Sequence, residues 1–412
     1  MKILFFASYP NLAIGYSRIA NIITNYLAEK GHDVYYFGIS NFKNDNIKRY
    51  IHPKIILIDG LEEEKKLGTN ELYGVNSICD YINTIKPDIL FLYNDIIVIS
   101  RIFNNFIERK MDIKCKVITY LDLVYPYEKI NLVKHIDIFS NLIFVFGQYW
   151  KDNLIEMGID KNKIDILSHG FDDKIFFKLD RLDAKKYFNF DLDDFIILNS
   201  NRNNYRKCID KTIDAFVKFL KMKNLNKNIK LFLNMDTNEL NNSGYDIKNQ
   251  FEISCIKNNV DYKNIIDNHV FIKDRNKFSD EQLNILYNAC EIGINTCVGE
   301  GFGLCNLEHG GIGKPQIISN VGGLTDIFKP EYSTPINPIE EIYISNNIDF
   351  HGGYIKICRT DDFVDAMNKY YDDNDILLEH GNKSRKTIIE QYNWDNILNN
   401  MEIKIKQIYF GL

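Results

Sequence analysis

Short apolar runs alternate with amphipathic stretches along most of this chain. Residues 2–8, 33–39, 54–59, 88–93, 115–122, 142–146 and 164–168 are rich in Ile, Leu, Phe and Val. Several are continuous apolar runs rather than strict alternations, which is the pattern of strands buried on both faces of a parallel sheet. Between the first two, Ile19, Ile22, Ile23, Tyr26 and Leu27 share one helical face, and Gly31 stops the helix. Pro87 ends another helix just before its strand. Alternation of this kind predicts a doubly wound α/β domain.

After Gly170 the pattern pauses. Residues 171–194 are dense in Asp, Lys and Phe without a clean period and read as an interdomain linker with a short helix. Strands resume at 195–198, 230–234, 269–273, 291–295 and 316–319. Between two of them Ser279-Asp280-Glu281-Gln282 has the form of a capping box, opening a helix that carries Leu283, Leu286 and Tyr287. From Trp394 onward, Ile397, Leu398, Met401, Ile405 and Ile408 form a helical stripe. The expected organisation is two α/β domains, 1–172 and 173–390, followed by a terminal helix over 391–412.

Composition narrows the class. A chain of 412 residues with 45% hydrophobic and 26% charged residues is globular and long enough for two domains. Its 50 Lys and Arg against 56 Asp and Glu give a net charge of −6, so no global positive field exists to hold a nucleic acid. No apolar run is long enough to span a bilayer, which leaves peripheral membrane contact and oligomeric state open. The opening 1–7 segment is too short for a secretory core and reads as a buried strand. Eight scattered cysteines without a Cys-x-x-Cys pattern read as reduced thiols in a cytoplasmic protein.

Two segments carry candidate chemistry. Gly299-Glu300-Gly301-Phe302-Gly303-Leu304 follows a strand and leads into a helix bearing Glu308. Glycines at a helix start let a diphosphate approach the backbone amides at the positive end of the helix dipole. Glu300 in the loop and Glu308 about one turn into the helix place a carboxylate toward each end of such a ligand, where each accepts hydrogen bonds from sugar or ribose hydroxyls. The second segment, Asn199 to Lys207, brings Arg202, Arg206 and Lys207 to the carboxyl end of a strand, the ligand-binding edge of an open α/β sheet. Arg202 suits a bidentate phosphate contact, and Lys207 a point charge. Gly313-Lys314-Pro315 is not a phosphate-binding P-loop, since Glu308 stands where the first glycine belongs. His169 and His309 lack the spacing of a metal site, and no metal is expected. His309 reads as a packing residue. The 271–275 segment ends a strand where a nucleobase is framed in this reading.

Together these segments resemble the family 4 retaining glycosyltransferases, which have the GT-B architecture of two facing Rossmann-like domains. The Glu-x7-Glu pattern falls on Glu300 and Glu308, and the Arg and Lys pair on Arg202 and Lys207. Supporting matches are 166–172 and Gly322-Gly323. The resemblance implies an acceptor-binding first domain, a donor-binding second domain and a terminal helix that returns to the first. It implies a nucleotide-sugar donor, UDP- or GDP-linked, no further cofactor, and an unidentified acceptor such as a glycan, lipid or small molecule. Arg202 and Lys207 would neutralise the donor diphosphate in place of a metal. Glu300 would contact the transferred hexose, Glu308 the ribose hydroxyls, and the amides of Phe302, Gly303 and Leu304 the diphosphate and sugar. Gly15 would bring the first domain's backbone to the phosphates. Three departures stand out. The 10–15 loop lacks paired glycines, Tyr120-Leu121-Asp122-Leu123 occupies the stretch where many members carry a His, and Gly310, Gly311 and Gly313 replace helix formers. Each interior helical Gly costs about 1 kcal/mol relative to Ala, so that helix is expected to be short or tightly packed. A phosphorylase or epimerase of the same architecture and a non-catalytic sugar- or nucleotide-binding protein are the alternatives.

Overall fold

A computed structural model describes the chain except residues 13, 44–46, 70, 237–243, 274–277 and 412. Two compact units result. The first comprises residues 1–169, 345–353 and 395–412; the second comprises 170–344 and 354–394.

The first unit is built on a seven-stranded sheet of order β3-β2-β1-β4-β5-β6-β7. Its strands are β1 (Lys2–Ser8), β2 (Asp33–Ile39), β3 (Ile56–Asp59), β4 (Ile89–Asp95), β5 (Lys116–Asp122), β6 (Leu142–Val145) and β7 (Ile164–Ile166). All neighbours pair in parallel; Ile3, for example, lies between Val34 and Ile89. Helices cover both faces, so Ile3 to Ala7 and Ile89 to Leu92 are wholly buried, and Phe5 stacks on Phe91 with centroids 4.7 Å apart. This burial is why the strands read as apolar runs. The order reverses between β1 and β4, which opens a crevice at their carboxyl ends.

The helix Trp394–Phe410 joins this unit from Asp395 onward. Its stripe buries Leu398, Met401 and Ile405, while the Glu402 carboxylate accepts from Tyr26 Oη at 3.3 Å and contacts His32 Nε2 at 3.2 Å.

The second unit has a six-stranded sheet of order β10-β9-β8-β11-β12-β13. These strands are β8 (Phe195–Asn199), β9 (Ile229–Asn234), β10 (Val270–Lys273), β11 (Ile292–Asn295), β12 (Gln316–Ser319) and β13 (Thr334–Ile336), again all parallel. A two-stranded sheet, β14 (Glu340–Ile344) with β15 (Gly353–Ile357), comes next in the chain. The capping box forms as expected: Ser279 Oγ accepts from Gln282 N at 3.2 Å, and Gln282 Oε1 accepts from Ser279 N at 3.0 Å.

Two readings need correction. The 171–194 stretch is not a free linker. Phe171 N donates to Tyr392 O at 2.7 Å and Leu179 N to Asn288 Oδ1 at 2.9 Å, while Lys185, buried on the helix Arg181–Tyr187, pairs with Glu291 at 3.0 Å. These contacts fix the stretch within the second unit, and the division falls at His169–Gly170. Residues 345–353 also return to the first unit, so the chain is not divided into consecutive domains as expected.

Candidate functional site

The second sheet reverses order between β8 and β11, and the two candidate segments leave the carboxyl ends of those adjacent strands. After β8 the chain makes a single 3₁₀ turn, Tyr205–Lys207. Asn204 caps it by accepting from Lys207 N at 3.2 Å, and Cys208 leaves it with a left-handed φ of 47° before the helix Ile209–Met222 begins. A hydroxyl relay pins this loop to the one after β11. Asn199 Nδ2 donates to Thr212 Oγ1 at 2.9 Å, Thr212 and Thr296 hydroxyls meet at 2.7 Å, and Thr296 Oγ1 donates to Cys208 O at 2.8 Å. All three side chains are buried, so satisfying these groups fixes the relative position of the loops.

The ends of the loops then meet. Val298 N donates to Arg206 O at 3.0 Å, Arg206 Nη1 donates to Gly299 O at 2.7 Å and lies 3.8 Å from Glu300 Oε1, and Lys207 Nζ forms an ion pair with Glu300 Oε2. Burial works to raise the pKa of the Glu300 carboxyl, but the charges of Lys207 and Arg206 outweigh it and hold the group below its usual range. Glu300 therefore stays ionised among cations.

Glycines set the course of the chain from this loop into its helix. Gly303, with φ 97°, is the N-cap of the helix Leu304–Gly311, and no side chain caps that helix start. Its amides therefore keep the anion-binding character of an open helix terminus. Gly323 N donates to Glu300 O at 3.0 Å, and a Cβ at Gly323 would overlap the Gly301 carbonyl oxygen. The helix is only 8 residues long, and side chains at Gly310 and Gly311 would collide with Ile388 and Phe171 respectively. Both expectations about this glycine-rich helix thus hold, the close contacts being what the missing side chains permit.

Glu308 is buried, and its Oε2 accepts from Tyr287 Oη at 2.8 Å. His309 stacks on Tyr287 with centroids 5.3 Å apart; its Nε2 donates to Tyr287 O at 3.1 Å and its Nδ1 accepts from Gln316 Nε2 at 3.1 Å. Burial lowers its pKa to about 3, so the ring is neutral and holds Tyr287 beneath Glu308. Asn306 Nδ2 donates to Gln316 Oε1 at 2.9 Å and Asn295 Nδ2 to Asn306 Oδ1 at 2.9 Å, which links the Glu308 helix to the loop bearing Glu300.

Of the residues singled out in the sequence, the structure brings Lys207 against Glu300, beside the Gly303 helix start. Arg202 differs: it lies on the exposed part of the loop, whereas Arg206, unassigned from the sequence, reaches Glu300. The Phe302 ring is buried against Tyr392, 6.0 Å between centroids, so only its backbone belongs to the loop surface. Gly15 is the first residue of the helix Gly15–Glu29 in the first unit, and that helix start also lacks a side-chain cap. Ala13 of the preceding loop, and Asp274 and Arg275 of the 271–275 segment, lie outside the described residues. Among the described residues no group of three or more His, Cys, Asp or Glu side chains is arranged to hold a metal ion, and no helix is long and apolar enough to cross a membrane.

Residues 180–391 match the model of the family described as glycosyl transferases group 1. The chain belongs to that family. An uncharacterized glycosyltransferase of Methanocaldococcus jannaschii, MJ1607, is 27% identical over 205 residues, which are 50% of this chain and 43% of that protein. Sucrose-phosphate synthase of Thermosynechococcus elongatus superposes over 100% of both chains with a TM-score of 0.75 at 16% identity. HepE of Anabaena, solved with UDP and glucose, superposes over 99% of this chain and 100% of its own with a TM-score of 0.71 at 13% identity. These similarities establish the fold of this family member as GT-B.

Proposed function

We propose that this protein is a retaining glycosyltransferase that moves a hexose from a UDP- or GDP-linked donor to an acceptor hydroxyl. The observation that carries the reading is the convergence of Lys207, Arg206 and Glu300 at the open helix start after Gly303. HepE was solved with UDP and glucose, which supports a nucleotide-sugar donor in a fold of this kind.

The reaction must part a nucleoside diphosphate from an anomeric carbon. Negative charge grows on the departing phosphate oxygen while the sugar becomes oxocarbenium-like. Fixed cations and N–H dipoles directed at that oxygen are an effective means of stabilisation. In this reading Lys207 and Arg206, joined by Arg202 from the loop, meet the diphosphate, and the amides of Phe302, Gly303 and Leu304 receive its oxygens. An ammonium has three donors, so Lys207 can serve the diphosphate while retaining Glu300. Glu300 accepts from a hexose hydroxyl, and Glu308, oriented by Tyr287, accepts from the ribose. The acceptor oxygen bonds to the anomeric carbon on the face the diphosphate leaves, and the leaving phosphate takes the acceptor's proton. No metal is required in this scheme, and the protein works in the cytoplasm.

A panel of nucleotide sugars tests the donor assignment, because a ligand bound only by the folded state raises its melting temperature. UDP- or GDP-hexoses are expected to stabilise the protein more than free hexoses do. Stabilisation by free sugar alone would identify a sugar-binding protein instead. Turnover that forms an α-linked glycoside from an α-linked donor and frees the nucleoside diphosphate would separate a retaining transferase from a phosphorylase or an epimerase.

A further inference from the structure

Tyr16 stands at the switch point of the first sheet, where its hydroxyl lies 2.7 Å from Asp95 Oδ1 and 2.7 Å from Asp122 Oδ2. Asp95 ends β4 and Asp122 ends β5, directly opposite in register. A phenol has one hydrogen. Were both carboxyls ionised, one of these short contacts would set two oxygens against each other with no proton between them. Ionising the phenol instead would place three negative groups together. Burial, with Asp122 and Asp95 after it, raises the Tyr16 pKa well above its usual value, so Tyr16 keeps its hydrogen.

Asp95 is the carboxyl placed to be neutral. It occupies the N-cap of the helix Ile96–Glu108, a position where Asp commonly accepts from helix amides, yet its side chain makes no cap hydrogen bond. Among the described residues, Tyr16 is the sole hydrogen-bond partner of its carboxyl group, and no cation pairs with it. The titratable groups facing it are Tyr16 from the first helix, Tyr93 from β4, Asp122 from β5, Glu128 and Lys129 beyond β5, and His351 from the 345–353 segment. The last three largely satisfy one another, with His351 Nδ1 at 2.9 Å and Lys129 Nζ at 3.6 Å from Glu128 Oε1. Burial raises the Asp95 pKa, and the negative charge of Glu128 adds to it, against the opposing effects of the Tyr16 hydrogen bond, His351 and Lys129.

We infer that Asp95 carries a proton that it donates to Tyr16, so that Tyr16 gives its own hydrogen to Asp122 and Asp122 alone holds the negative charge of the trio. Tyr16 and Asp95 are then positioning residues: they fix the ionisation and rotamer of Asp122 at the edge of β5. Their kinetic role rests on the transferase reading above, together with the acceptor-binding first domain that the family resemblance implies. The proton itself does not depend on that reading.

Infrared spectroscopy of the full-length protein at neutral pH tests the proton directly. The wild type is expected to show the carbonyl stretch of a protonated carboxylic acid that shifts in heavy water and is lost in Asp95→Asn. A difference spectrum between the two without that band would overturn the inference. Kinetics supply the second arm. Asp95→Asn keeps an N–H donor toward Tyr16 and is expected to retain turnover, whereas Asp122→Asn loses it. Tyr16→Phe removes a hydrogen bond to the Asp122 carboxylate, raises its pKa, and shifts the acidic limb of the pH–rate profile to higher pH. Equal damage from Asp95→Asn and Asp122→Asn, with an unmoved limb in Tyr16→Phe, would contradict the positioning role. If the wild type proves to have no transferase activity, the functional reading falls and the infrared band alone decides the inference.

Discussion

Lys207 and Glu300, 93 residues apart in the chain, meet as a buried ion pair where β8 and β11 deliver their loops. The pair joins the cationic turn to the glycine loop in the folded protein, and in the proposed function it keeps a cation and a carboxylate side by side at the donor. Removing one partner of a buried pair typically costs about 3–5 kcal/mol because the other is left uncompensated. Lys207→Ala is expected to lose stability of that order in urea unfolding. Lys207→Ala combined with Glu300→Gln should lose clearly less, because no uncompensated charge remains. Equal losses in the single and double variants would show that the two side chains are not coupled.

The same pair sets an acid dependence. The Glu300 pKa is depressed in the folded protein, while an unfolded Glu titrates near about 4.3. Between those two values the unfolded chain binds more protons, so stability falls as pH falls. The contribution is fully present above about pH 5 and is lost on acidification through the folded value. Urea midpoints measured from pH 7 downward should therefore decline more steeply for the wild type than for Glu300→Gln. Parallel curves would mean that Glu300 is not held ionised by its neighbours.

Gly323 tests the shape of the loop rather than its charge. A methyl group there meets the Gly301 carbonyl oxygen, a backbone atom with no rotamer to yield. Gly323→Ala should displace the 299–303 loop, and misplacement by about 1 Å can cost on the order of 10²-fold in rate. The expected result is a marked loss of turnover with secondary structure intact by circular dichroism. Wild-type turnover in this variant would show that the loop's course does not matter to the reaction.

Metal dependence is set by the proposed charge distribution. With Lys207 and Arg206 beside the diphosphate, turnover is expected to persist after exhaustive treatment with EDTA. A strict requirement for added Mg2+ or Mn2+ would overturn that part of the mechanism.

Much of the fold was legible because parallel strands buried on both faces leave runs such as Ile3 to Ala7 that no solvated element would carry. The less legible parts are those fixed by distant contacts. β13 is short and contains Pro335, and β14 exposes Glu340 and Glu341, so neither has an apolar signature. Phe171 reads as linker until its pairing with the chain near Tyr392 is seen. In the site, the glycine spacing singled out Glu300 and Glu308, but spacing alone could not bring Arg206 to Glu300. The contact of Arg206 with Gly299 depends on the 3₁₀ turn that carries it there, which the sequence does not announce. Nor could it join Tyr16, Asp95 and Asp122, because Asp95 taken alone resembles an ordinary helix cap.

The most direct test is calorimetric titration of UDP and GDP into Glu300→Gln and into the Glu300→Gln, Lys207→Ala double variant, since the free nucleotides isolate the diphosphate from the sugar. One of the two nucleotides is expected to bind Glu300→Gln, with affinity at least about tenfold weaker in the double variant, a loss of about 1.4 kcal/mol or more. Equal affinity in the two proteins, both folded, would contradict the assignment of Lys207 to the diphosphate.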